Sequence, residues 1–102
     1  MADTNAIVDE GTWVFVFNGQ VGDTIWQTFP AAVFSSKERA DAWIAKHRLT
    51  GILTRYPLDK GVYEWTIERG YFTPKRDEQR TPSFIGRFSS AHTDHWHYED
   101  GA

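Results

Sequence analysis

Three imidazoles and a carboxylate gather near the end of the chain, at His92, His95, His97 and Glu99. Histidine and carboxylate side chains are ligands for zinc and other borderline cations. In a strand, alternate residues share a face, so His95, His97 and Glu99 point one way and Trp96 and Tyr98 the other. His92 would reach the same point from the preceding turn. The competing account is that Trp96 and Tyr98 pack inward while the histidines face solvent on an end strand. A zinc site also needs partners that hold each imidazole in place, and spacing does not supply them. A small ligand or zinc held by His92, His95, His97 and Glu99 is therefore the alternative expectation, behind a reading without cofactor.

Other chemistry has weaker residues behind it. The chain has no cysteine and no G-x-S-x-G elbow, and Ser89 and Ser90 lie in a serine-rich turn of ordinary type. Asp59, Glu64 and Glu68 could do acid–base work only if a pocket paired them, and Glu64 and Glu68 have the four-residue spacing of a solvated helix stripe. Gly19-Gln20-Val21-Gly22 lacks the lysine and helix start of a phosphate-binding loop. No catalytic constellation emerges, so the expectation is a protein that is not an enzyme.

The elements that must position these residues come from one domain, because 102 residues allow one core. Hydrophobic residues make up 40% and charged residues 25%, both ordinary, but aromatics reach 16% with five Trp, four Tyr and seven Phe. Rings in excess of what the core needs are contact anchors for a partner. A net charge of −3 with no sustained basic run argues against a nucleic-acid surface. It suits a basic protein partner instead. No apolar run reaches the length of about 20 residues that spans a bilayer, and the start carries no secretory pattern. A cytoplasmic location is the default expectation.

Residues 1–10 are polar and without period and are expected to be a disordered tail, leaving 11–100 as the domain. Thr12 to Phe17 has strand character with apolar groups on both faces, which asks for cover on each side. Asn18-Gly19 signals a turn, with Gly22-Asp23 extending it, and Ile25 to Phe29 reads as the returning strand. Ser35 and Glu38 have capping-box spacing, and Ala40, Trp43, Ile44 and His47 continue as the apolar stripe of a helix over about 36–48. Lys46, His47 and Arg48 suit its negative end, with Gly51 just beyond.

Ile52 to Tyr56 reads as another strand. Asp59 is placed to cap a second helix carrying Val62, Tyr63, Trp65 and Ile67, with Leu58 and Tyr63 as a hydrophobic staple and Gly70 at its end. Thr73 to Pro82 reads as a mobile loop. Ser83 to Phe88 and His95 to Glu99 then read as a closing hairpin. The sum is an α+β fold: an antiparallel sheet of about five strands with two helices packed on one face.

The segments Val14-Phe15-Val16-Phe17-Asn18-Gly19, Val33-Phe34-Ser35-Ser36 with Ala40, Trp43 and Ile44, and Leu53-Thr54 with Tyr56-Pro57-Leu58-Asp59 carry a resemblance. It continues through Val62-Tyr63, Gly70-Tyr71-Phe72, Phe84-Ile85-Gly86-Arg87-Phe88 and His97-Tyr98-Glu99. The chain resembles a family of small uncharacterised bacterial proteins, a domain of unknown function. The resemblance implies a domain that stands alone and supplies no activity.

Together these readings favour a small binding module, a protein–protein interaction domain of immunity-protein type. Trp26 is the ring expected at the surface, and Lys75, Arg76 and Glu78 of the polar connection are the expected contacts beside it. An apolar two-faced sheet also allows completion by a second copy of the chain.

Overall fold

The computed structural model describes residues 13–21, 25–26 and 29–102. The expected tail at 1–10, the turn at Gly22-Asp23 and the side chain of Trp26 lie outside the described residues. The sheet is antiparallel and α+β in class. Strand β1 (Trp13–Val21) runs through its middle, paired along one side with β4 (Gly51–Pro57). β2 (Ile25–Trp26) and β3 (Ala32–Phe34) share the other side of β1, and β5 (His95–Tyr98) pairs with β4 to close the far edge. The sheet is thus four strands wide, with two-residue β2 as a short fifth beside β3.

β1 runs through the expected turn at Asn18-Gly19. Asn18 pairs with Ile52 and Gly19 with Gly51, so cross-strand pairing to β4 overrides the local turn preference. Along β1 the side chains alternate, placing Trp13, Phe15 and Phe17 on one face and Val14 and Val16 on the other.

Helix α1 (Lys37–His47) lies on the Phe17 face. Its N-cap is Ser36, whose Oγ accepts from the Arg39 N–H at 3.2 Å, one residue later than the Ser35–Glu38 box expected from spacing. Burial sets the register, because Ala40 and Ile44 are 0% exposed and sit against Phe17 and Leu53. The helix stops at Arg48, where the expected span ends. Arg48 takes the left-handed conformation (φ 54°) and donates its N–H to Ala45 and Ile44 carbonyls. Gly51 opens β4 instead.

Helix α2 (Val62–Glu68) meets the same face at its other end, where Trp65 packs edge-on against Trp13 at 5.7 Å. Its N-cap is Gly61, not Asp59, and it has no side-chain cap. Asp59 instead sits at φ 63° in the preceding turn, a conformation short polar residues tolerate. Leu58, the expected staple residue, is 47% exposed. The Arg55 guanidinium lies 3.9 Å from the Trp13 ring centre and pairs with Asp94 at 3.4 Å. Trp13 Nε1, Trp65 Nε1 and Arg55 Nε are buried here without acceptors, so ring and cation–π contacts hold this corner together.

The polar connection is structured. Residues Asp77–Arg80 form a 3-10 turn in which Gln79 Oε1 accepts from the Lys75 and Arg76 N–H groups. Tyr63 donates its hydroxyl to the Gln79 carbonyl at 2.8 Å. The strand expected over Ser83 to Phe88 is a short helix, α3 (Pro82–Gly86). Thr81 caps it by accepting from the Phe84 N–H, and Pro82 fills the first helical position, where a missing donor costs nothing. Phe84 and Phe88 then join Tyr63 and Phe72 in a second aromatic cluster, away from the sheet. The closing hairpin is therefore absent, and β5 pairs with β4 alone among the described strands. No helix among the described residues is long and apolar enough to cross a membrane.

Candidate functional site

The alternation within β5 is as the spacing implies. Trp96 and Tyr98 pack against the core, and His95 and His97 are exposed on the opposite face. The two imidazole rings meet edge-on, with centres 5.7 Å apart. His95 Nδ1 donates to the Thr93 carbonyl at 3.0 Å, which leaves Nε2 as the unprotonated nitrogen of the neutral ring. His92 goes elsewhere: its ring stacks on Tyr71 at 4.0 Å, and its Nδ1 lies 3.2 Å from Ser90 Oγ. That serine also accepts the His92 N–H, so the Ser90–His92 contact belongs to a local turn. Among the described residues no group of three or more His, Cys, Asp or Glu side chains is placed to hold a metal ion. The structure brings His95 and His97 together and separates His92 from them.

The inward side of β5 carries a polar clamp that sequence spacing did not suggest. Tyr98 donates its hydroxyl to Asp41 Oδ1, and Lys37 Nζ holds Asp41 Oδ2 at 2.9 Å. Lys37 also lies 5.2 Å from the Trp96 ring centre. The clamp ties α1 to the edge strand. Burial works to raise the Asp41 pKa, but the Tyr98 and Lys37 donors outweigh it and hold the carboxyl below its ordinary value. Tyr98 is raised, first by burial and then by its bond to Asp41, and Lys37 is raised, chiefly by its bond to Asp41.

The signs give a stability window. A lowered carboxyl contributes stability above its unfolded value of 3.8, lost as pH falls through the folded value. The raised Tyr98 contributes fully below its unfolded value of 10.0, and that contribution is lost as pH rises toward the folded one. Tyr98→Phe is expected to cost about 1 kcal/mol near neutrality, a hydrogen bond to a charged but half-exposed group. It should also flatten the alkaline fall in stability. Urea midpoints at neutral pH and at pH above 10.0, with unchanged slopes, check both effects.

The two faces of the sheet differ in chemistry. Phe17 and Leu53 are buried under α1. The helix-to-sheet ring contacts, Phe17–Trp43, Phe34–Trp43 and Trp13–Trp65, all fall on that side. On the other side, register sets Val33, Val16, Thr54 and His95 in one row. Val14 with Tyr56 and Asn18 with Ile52 and His97 form the flanking rows. Each of these residues is half-buried or exposed, and Val33 is 62% exposed. None carries a carboxylate, ammonium or guanidinium group. The apolar two-faced character of Trp13 to Phe17 was the sequence signal for this face. The contributions of Val33, Ile52 and Tyr56 depend on cross-strand register and had no signal of their own.

The expected contact residues belong to different elements. Trp26 pairs by its backbone with Gln20 at the β1–β2 end of the sheet. Lys75, Arg76 and Glu78 are exposed beside the 3-10 turn, where Arg76 and Glu78 pair at 3.0 Å. An exposed pair of this kind contributes little to stability.

A family model described as "Domain of unknown function (DUF7710)" matches residues 14–102, which include the described sheet beyond Trp13 and the three described helices. No curated protein and no solved structure matches the chain.

Proposed function

Since the chain belongs to that family, whose description carries no activity, we propose from the geometry that it is a non-catalytic binding domain that receives a protein partner on the sheet face that the described residues leave uncovered. The carrying observation is the charge-free row of Val33, Val16 and Thr54 with Val14, Ile52 and Tyr56 beside it, on the face opposite both sheet-packed helices. Apolar side chains left half-exposed on a flat surface release bound water on docking, at about 25 cal/mol per Å² of apolar area. A sheet face is also stiff, so little ordering entropy opposes the contact. The excess of 14 acidic over 11 basic residues suits a basic partner. This is the character of an immunity protein, which neutralises a partner by stoichiometric contact in the cytoplasm.

Val33→Asp tests the reading. The position is exposed enough to leave the fold intact, and a carboxylate there is expected to weaken partner binding at least about tenfold by desolvation. Tagged wild-type and variant chains would be used as bait in the native host. One stoichiometric protein held by the wild type and lost from Val33→Asp supports the sheet face. Equal retention by both chains rejects it. Loss on changing Lys75, Arg76 and Glu78 together, but not Val33, moves the contact to the 3-10 turn.

A further inference from the structure

Beyond the sheet face, the molecule has a hollow of about 660 Å³ at the end of α1, within the range of small-molecule sites. Its origin is legible residue by residue. β1 and β4 end this part of the sheet with a glycine pair, Gly19 opposite Gly51, and neither places a side chain on the helix-covered face. The Phe17 ring closes over Gly51, where an added Cβ would stand 2.5 Å from it. Above Gly19 the space stays open among the described residues: of these, an added Cβ would meet none nearer than Phe17 Cε2 at 3.9 Å. α1 stops at the same level, so no further turn of helix fills the gap.

The lining divides by chemistry. Phe17, Trp43 and Leu49 supply an apolar surface with two aromatic rings, 5.8 Å apart and near-perpendicular. His47, Arg48, Gln20 and Thr50 add polar groups to the lining. The carbonyls that give a helix end its negative potential are partly satisfied here, by the N–H groups of Arg48 and Leu49. Among the described residues no ion pair engages Arg48. Its guanidinium offers a planar fork of donors to a carboxylate. Glu99 and Asp100 line a separate hollow that shares Gln20 and Thr50 with this one, and the following Gly101 packs against the Arg48 backbone.

We propose that this hollow is a binding site for a small planar aromatic carboxylate, the ring system lying against Phe17 and Trp43 and the carboxylate paired with Arg48. The proposal does not rest on the sheet face, since Phe17, Trp43 and Leu49 belong to the helix-covered core.

The probe is 2-naphthoate, with 2-naphthol as its uncharged counterpart, titrated into the full chain and followed by calorimetry and by the shift of the Trp43 indole N–H signal. Saturable, sub-millimolar binding of 2-naphthoate is expected. Gly19→Val fills the hollow from a strand position of ordinary φ, and is expected to abolish binding of both probes with the circular dichroism spectrum unchanged. Arg48→Asn keeps a residue that tolerates the left-handed conformation. It is expected to weaken 2-naphthoate about tenfold and leave 2-naphthol unaffected. Failure of 2-naphthoate to saturate at millimolar concentration overturns the proposal, as does binding that survives Gly19→Val in a folded chain. Equal affinity of wild type and Arg48→Asn for 2-naphthoate overturns the assignment of an anion.

Discussion

Gly51→Ala is expected to destabilise the domain by about 3 kcal/mol, while Gly19→Ala, the same change in its cross-strand partner, is expected to be neutral or stabilising. The two glycines face each other across β1 and β4 and direct an added methyl group to the same side of the sheet. At Gly51 that methyl would lie 2.3 Å from the Asn18 carbonyl oxygen, 2.5 Å from Phe17 Cζ and 2.9 Å from Gly19 Cα. Two of these neighbours are backbone atoms of the paired strand, so relief requires the strands to part. The third is a ring that is 2% exposed and fixed among Ala40, Ile44 and Leu53. At Gly19 the methyl meets only ordinary contacts, and alanine also removes freedom from the unfolded chain. Urea denaturation of the two variants side by side checks the contrast. Equal midpoints would mean that Phe17 does not occupy the space over Gly51.

Leu53→Ala is expected to cost about 3 kcal/mol and to lower the melting temperature by about 15 °C. Leu53 is 0% exposed and stands at the middle of β4, opposite Phe17 of β1 and Trp96 of β5. Its side chain is the point where the central strand, the edge strand and α1 meet. Truncation removes the transfer energy of the lost carbons and leaves a cavity, because the rings around it belong to a sheet that cannot close inward. Thermal melts followed by far-ultraviolet circular dichroism measure the effect. A fall of only a few degrees would show that Trp96 or Trp43 moves into the space.

The two expectations differ in how far they could be read from the chain. Leu53 stands in Ile52 to Tyr56, a segment of plain strand character, and its burial follows from alternation. The clash at Gly51 follows from a ring two residues before its cross-strand partner, and nothing local announces it. The first helix is similar. Its existence and its stripe of Ala40, Trp43 and Ile44 are local properties, whereas the choice between Ser35 and Ser36 as cap was made by which register buries Ala40 and Ile44.

The segment Thr81 to Phe88 forms a helix in place of the strand expected over Ser83 to Phe88. Thr81-Pro82 is a helix-start pair, and Phe84 and Phe88 have the four-residue spacing of one helical face, yet the β-rich run Phe84-Ile85 suggests a strand. The helix is formed because Tyr63 and Phe72 offer an aromatic surface to Phe84 and Phe88 together. With that segment removed from the sheet, β5 became an edge strand on β4.

What the amino-acid order determined alone was the class, the first helix, the strands at Trp13 to Phe17 and Ile52 to Tyr56, and the inward turn of Trp96 and Tyr98. Each rests on a period of two or 3.6 residues, which acts within a few residues of chain. Tertiary structure alone decided the sheet face of Val33 and Ile52 opposite the described helices, the Lys37–Asp41–Tyr98 clamp, the separation of His92 from His95 and His97, and the hollow above Gly19. These depend on which strands pair and in what register, and pairing energy is summed over residues far apart in the chain, where no local pattern reports it.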